Sequence, residues 1–157
     1  NDAATAIAEY ISGSEEAFVE EMNARARELM AVNTHFVNPH GLHDDNHYTT
    51  AYELYLIFNT CIQNEEFLKI IESDGYTASI TEEWSPTNYY ARGIVDAPEG
   101  VTVVGGKTGT TGEAGYCLIL LDRNAADDPY ISIVMGAGSR DILYEDMNAL
   151  LEGTQGR

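Results

Sequence analysis

The sequence predicts an α+β fold in which an antiparallel sheet is packed between helices. Three observations carry this. As far as residue 72, apolar residues recur at three- and four-residue spacing, the signature of helices with one buried face. Between 101 and 138 the pattern changes to three strand-like runs separated by turn residues, and at 140–152 the helical spacing returns. Helices, then strands, then a helix is the order of an α+β chain.

Taken in order, Ala4, Ile7, Ala8 and Ile11 share one face of an opening helix. Ser14 has the chemistry of an N-cap, and Glu15 and Glu16 suit the positive end of the helix that follows. Phe18, Met22, Ala26 and Leu29 then repeat at helical spacing, so a helix is expected near 15–31. "NTHFVNPHGLHDDNHYT" is a polar loop punctuated by Pro and Gly. Thr50 to Glu53, "TAYE", has capping-box form and opens a helix carrying Leu54, Ile57, Phe58 and Cys61. Asn64 is the expected cap of a short helix, "EEFLKII". Residues 73–100 are an irregular connection in which "YTASIT" can form a strand and the rest is turn-rich.

"VTVVGGKTGT", "AGYCLILLD" and "YISIVMGAG" then read as an antiparallel meander, with "TGE" and "NAADDP" as its turns. In the second strand Tyr116, Leu118 and Leu120 point one way and Cys117, Ile119 and Leu121 the other. Both sets are apolar, so both sheet faces are expected to be covered by helices. "RDILYEDMNALLE" closes the chain as an amphipathic helix through Ile142, Met147, Leu150 and Leu151. The expected organisation is one incomplete domain over 1–157: a helical region 1–72, the connection 73–100, the meander 101–138 and the helix 140–152. The chain opens as a helix already under way, without Met or a leader, and reads as a piece of something longer.

Composition excludes several classes. Twenty-six acids stand against eight Lys and Arg, a net charge of −18. No basic cluster exists, which argues against nucleic acid and against an anionic membrane surface. No run of 18 apolar residues occurs. Cys61 and Cys117 sit in apolar segments and read as buried free thiols. His35, His40, His43 and His47 fall within 13 residues, beside Asp44 and Asp45. A metal site would use such ligands, but the spacing matches no zinc pattern. A loop whose polar side chains hold its own backbone explains the cluster better.

Only two lysines are present, Lys69 and Lys107. Lys107 lies where strand pattern meets glycine, followed by Thr108, Gly109 and Thr110. An ammonium with a neighbouring hydroxyl is a plausible carboxylate receptor. Gly109 lets a ligand backbone approach the strand, and the N–H of Thr110 could face a developing negative oxygen. On these residues alone, a hairpin with a solvated lysine explains the pattern better.

The wider context changes that balance. "GGKTGTTGEAGYCLIL", followed by another strand and a terminal helix, resembles the C-terminal part of the penicillin-recognising serine enzymes, whose signature is S-x-x-K, S-x-N and K-T-G. "THFVNPHGLHDDNHYTTAYEL" resembles a region of the low-molecular-mass D-alanyl-D-alanine carboxypeptidases among them, and "NDAATAIAEYISGSEEAFVEEMN" their segment starting at the Asn of S-x-N. The resemblance implies a β-lactamase/transpeptidase-like fold with a five-stranded sheet, of which this chain carries three strands. It implies that Lys107 supports proton traffic and attracts the substrate carboxylate, that Thr108 hydrogen-bonds it, that Thr110 N–H forms half of an oxyanion hole, and that Asn1 binds the substrate amide. The implied partners are peptidoglycan stem peptides ending in D-Ala-D-Ala and β-lactams, with acyl-enzyme chemistry and no cofactor or metal, in the cell envelope.

Two features depart from the family pattern. Arg140, in "GAGSRDI", is a weak candidate for the arginine that holds the carboxylate, being shifted in register. The approach to K-T-G is also unusual. No S-x-x-K occurs: three residues before Lys69 and Lys107 stand Glu66 and Val104. The nucleophile is therefore expected in an N-terminal segment outside this sequence, the chain alone is expected to be inactive, and exposed sheet surface is expected to favour a homodimer. The alternatives are a non-catalytic module that binds peptides or muropeptides, and a His-rich metal-binding domain.

Overall fold

The structure is a computed structural model that describes residues 1–77 and 83–155. The chain divides into two compact units, Asn1–Thr60 and Cys61–Arg157. Among the described residues no helix is long and apolar enough to cross a membrane.

The first unit holds α1 (Asp2–Ser12), α2 (Glu15–Glu28), the polar loop and α3 (Ala51–Cys61). Helix α1 stops at Gly13, which takes the left-handed conformation (φ 83°) and donates its N–H to Glu9 at 2.8 Å. Of the face expected to be buried, only Ala8 is; Ile7 and Ile11 are exposed, as is Tyr10 at 91%. Ser14 caps α2 by accepting from Ala17 N at 3.1 Å. Helix α2 ends before residue 31, by a device that composition does not advertise. Met30 adopts φ 65° and donates to Arg27 O, while Ala31 donates to Ala26 O. This is a Schellman ending with Met in the place glycine usually takes, and both residues joined by its longer bond, Ala26 and Ala31, are buried.

Only half of the expected capping box forms. The Thr50 hydroxyl accepts from Glu53 N at 3.2 Å. The Glu53 carboxylate does not reach back; it is buried (3% exposed) and accepts from Asn33 N, Asn33 Nδ2 and the Thr34 hydroxyl at 2.8, 3.0 and 2.6 Å. Three donors outweigh the single N–H a capping box would supply. These bonds pin the start of the polar loop to α3, and they hold the Glu53 carboxyl below its ordinary pKa although desolvation alone would raise it.

The second unit holds α4 (Glu65–Glu72), β1 (Tyr76–Thr77), β2 (Glu83–Trp84), β3 (Thr102–Thr111), β4 (Gly115–Arg123), β5 (Pro129–Ala137) and α5 (Arg140–Glu152). Asn64 caps α4 by accepting from Glu66 N and Phe67 N. Part of the strand expected over 76–81 is present as β1, paired antiparallel with β2; residues 78–81 lie outside the described residues. The sheet order is β3-β4-β5, antiparallel throughout. Leu118 and Leu120 of β4 are buried against Leu143, Tyr144, Met147 and Leu151 of α5. The buried stripe of α5 thus runs 143, 147, 151, whereas Ile142 and Leu150, expected to face inward, are exposed. Residues four apart stay on one stripe, and 142 and 150 each lie about 100° away from it. The other sheet face is only partly covered: Cys117 and Ile119 are half-buried and Met135 is exposed.

One bulge decides which way the middle of β3 faces. Val103 pairs with Asp122 and Gly105 with Leu121, so Val104 is an extra residue. Val101 and Val103 pack against the α5 core. Without the bulge, alternation would carry Gly105 and Lys107 onto that same apolar face. With it, Gly105, Lys107 and Gly109 lie on the opposite face, and Gly106, Thr108 and Thr110 on the α5 side. Gly105 is required there: a Cβ at this position would overlap the carbonyl oxygen of Ile71, at the end of α4.

Candidate functional site

Strand β3 pairs with β4 along one edge, and its other edge carries no strand among the described residues. Lys107, Thr108, Gly109 and Thr110 lie opposite Ile119, Leu118, Cys117 and Tyr116. Lys107 is exposed as a residue, yet its ammonium folds back and donates to the carbonyl oxygen of Thr108. Desolvation there lowers its pKa below the ordinary lysine value. The ammonium therefore gives up its proton more readily than that of a free surface lysine.

On the α5 side of the strand the structure gathers groups from two other elements. The Thr87 hydroxyl, in the loop before β3, lies 2.5 Å from the Thr108 hydroxyl. Arg140, the first residue of α5, donates from Nη1 to the Tyr89 hydroxyl at 2.7 Å. Its guanidinium carbon sits 5.2 Å from the Tyr89 ring centroid and 5.8 Å from that of Tyr116, the strand partner of Thr110. Arg140 is therefore held over the residue that pairs with the K-T-G strand. The Tyr89 hydroxyl that accepts from it raises the Arg140 pKa, with Tyr116 and Tyr144 acting in the same direction.

The loop carrying Thr87 is fixed by α5. Tyr89 N donates to the Tyr144 hydroxyl at 2.7 Å, and the two rings stack at 5.1 Å. The Tyr90 hydroxyl donates to Asn148 Oδ1 at 2.7 Å. Asn88 is buried, and its Oδ1 accepts from Tyr90 N at 3.1 Å. Sequence reading missed Thr87, Tyr89 and Tyr116. Twenty-one residues separate Thr87 from Thr108, and no local pattern signals their contact.

Asn1 lies in the first unit, where its carbonyl oxygen accepts from Ala4 N and Thr5 N at the start of α1. The histidines are engaged within the polar loop: His35 Nδ1 lies 2.6 Å from Asn46 O, Val37 N donates to His47 Nδ1 and Leu42 N to His40 Nδ1. His40 Nε2 also lies 3.4 Å from Glu15 Oε1. Among the described residues no three His, Cys, Asp or Glu side chains gather as metal ligands. Cys61 and Cys117 are free and half-buried.

A lysine and hydroxyls on a strand with one open edge, with an arginine over the ring of Tyr116 on the paired strand, are groups that suit a ligand ending in a carboxylate. The comparison with known proteins gives this edge its family. Residues 1–139 match the family model described as D-alanyl-D-alanine carboxypeptidase. The chain belongs to that family. It is 36% identical over 142 residues to D-alanyl-D-alanine carboxypeptidase DacF of Bacillus subtilis, covering 88% of this chain and 35% of the relative. Among solved structures it is similar to penicillin binding protein 5 from Haemophilus influenzae, with TM-score 0.86 and 32% identity over 98% of this chain and 43% of that one. It is also similar to penicillin-binding protein D2 from Listeria monocytogenes in its cefotaxime-bound form, with TM-score 0.82 and 29% identity over 97% of this chain and 60% of that one. These neighbours agree with an α+β, β-lactamase-like fold. The chain spans about a third of the length of the curated relatives it matches.

Proposed function

We propose that this chain supplies the K-T-G half of the reaction pocket of a serine D-alanyl-D-alanine carboxypeptidase acting on peptidoglycan stem peptides outside the cytoplasmic membrane. The observation that carries the reading is the open Lys107–Thr110 strand edge, with Arg140 over Tyr116 of the neighbouring strand, in a chain of this family. In the proposed reaction a serine hydroxyl attacks the carbonyl of the penultimate D-Ala. The C–N bond breaks, the terminal D-Ala leaves with a proton, and water hydrolyses the resulting ester. Lys107, with its depressed pKa, would relay protons and draw in the terminal carboxylate. Thr108 and Arg140 would bind that carboxylate, Gly109 would leave room for the ligand backbone, and Thr110 N–H would face the oxyanion. Asn1 would hold the substrate amide. β-Lactams would occupy the same edge and trap the acyl form.

The 157 residues contain no S-x-x-K, so the serine and its lysine would come from a further segment of one incomplete domain. The same fact favours a second reading, in which the edge binds muropeptides without cleaving them. One experiment separates them. The full-length protein, incubated with labelled penicillin and with a D-Ala-D-Ala peptide, is expected to be labelled covalently and to release D-Ala. Lys107→Ala is expected to lower turnover at least about a hundredfold. This chain alone is expected to take no label. A full-length protein that binds the peptide but neither releases D-Ala nor takes label would establish the binding module instead.

A further inference from the structure

We propose that Thr87 is a positioning residue for the carboxylate-binding hydroxyl of Thr108, an inference that rests on the carboxypeptidase reading above. A threonine hydroxyl has one proton to donate and two lone pairs to accept with. At 2.5 Å the Thr87 and Thr108 hydroxyls share a hydrogen bond whose donor can be either oxygen. The direction matters to a ligand. If Thr108 donates to Thr87, its proton is spent and it has none for a carboxylate. If Thr87 donates to Thr108, the Thr108 proton is free to point at the ligand, and the bond it accepts strengthens the one it gives. An anionic ligand selects the second arrangement, because only that one offers it a donor. Thr87 thus fixes the Thr108 rotor and leaves its proton available.

The placement of Thr87 supports this role. Two residues on, Tyr89 is clamped to α5 through the Tyr144 hydroxyl, and its own hydroxyl accepts from Arg140. One short loop therefore reaches Thr108 with Thr87 and Arg140 with Tyr89. Both groups that would face the substrate carboxylate are oriented from the same rigid segment. Thr87 itself is exposed and outside the apolar core, so a change there does not remove packing.

The test uses the full-length protein and a D-Ala-D-Ala peptide. Thr87→Val keeps the shape and removes the donor; it is expected to raise KM about five- to tenfold with kcat within about twofold. Thr87→Ser restores the donor and is expected to return KM to within about twofold of the parent. A Val variant that matches the parent, a Ser variant as impaired as Val, or a loss in kcat with KM unmoved would each overturn the proposal. If the parent protein releases no D-Ala, the carboxypeptidase reading itself falls and this inference with it. An active parent with an indifferent Thr87→Val removes only the inference.

Discussion

At residue 105 the sheet and a helix touch backbone to backbone. The Ile71 carbonyl, at the end of α4, lies where any side chain on Gly105 would begin. Gly106 is confined in the same way against the Ile119 carbonyl and the Leu120 side chain. The two glycines before Lys107 are thus packing requirements that fix the height of the strand under the candidate site. Gly105→Ala is expected to cost about 2–3 kcal/mol, because backbone rather than a flexible side chain must move. Chemical denaturation reads this directly, and an Ala variant as stable as the parent would show that α4 does not rest on β3. Asp122 is a second residue whose surroundings decide its chemistry. It is fully buried on the α5 side of β4, with neither carboxylate oxygen in hydrogen-bond geometry. Burial raises its pKa to about 6, with the Ser132 hydroxyl close enough to oppose the shift only in part. Asp122→Asn is expected to raise stability at pH 7.5 and to change it little at pH 4.5, where the native carboxyl is already protonated.

Among the elements, α2 shows a helix ending chosen by tertiary packing. Met30 takes the left-handed conformation, and Ala31 after it is buried and bonded back to the Ala26 carbonyl. Its own side chain is 72% exposed and contributes little. Met30→Gly is therefore expected to stabilise the protein by about 0.5–1 kcal/mol, read as a rise in melting temperature. Helix α5 makes the complementary point. Tyr144 is buried beside the stripe of that helix and serves the loop as well as the core, through the Tyr89 stack and the bond from Tyr89 N. Tyr144→Phe keeps the stack and orphans that N–H, at an expected cost of about 1–2 kcal/mol.

Across the whole molecule the two units are expected to answer pH in opposite directions. In Asn1–Thr60, burial holds the His47 pKa below its usual 6.5, and the bonds to Glu53 hold that carboxyl below its usual value. In both cases the unfolded chain binds more protons, so stability is lost as pH falls, first below about 6.5 and again below about 4.5. In Cys61–Arg157 the raised pKa of Asp122 means that the folded state holds more protons between about 4 and 6, so stability is lost as pH rises through that window. Segment-resolved hydrogen exchange at pH 4.5 and 7.5 is expected to show the first unit more protected at the higher pH and the β4–α5 core more protected at the lower. Equal slopes in both would contradict this assignment. Light scattering on this chain alone addresses its open surfaces. Strand β5 has one described neighbour, and Ile7, Ile11 and Trp84 are exposed. A homodimer is expected at high concentration, and a monodisperse monomer would count against it.

The sequence by itself determined the fold class, the three-strand meander, the Ser14 and Asn64 caps and the K-T-G edge. Each is written in local periodicity or in a short motif, which depend on neighbours a few residues away. Tertiary structure alone decided the rest. The bulge at Val104 turned Lys107 off the apolar face, and nothing in "VTVVGGK" announces an extra residue. Glu53 left its own helix cap because three donors from the loop outbid one N–H. The α5 stripe settled on Leu143, Met147 and Leu151 because the sheet, rather than the helix's apolar content, chose which side faced inward. Thr87 meets Thr108, and Tyr89 meets Arg140, across a loop that Tyr144 and Asn148 hold against α5. Pattern within a chain is a short-range signal, whereas a binding edge is assembled from long-range contacts that only the folded packing selects.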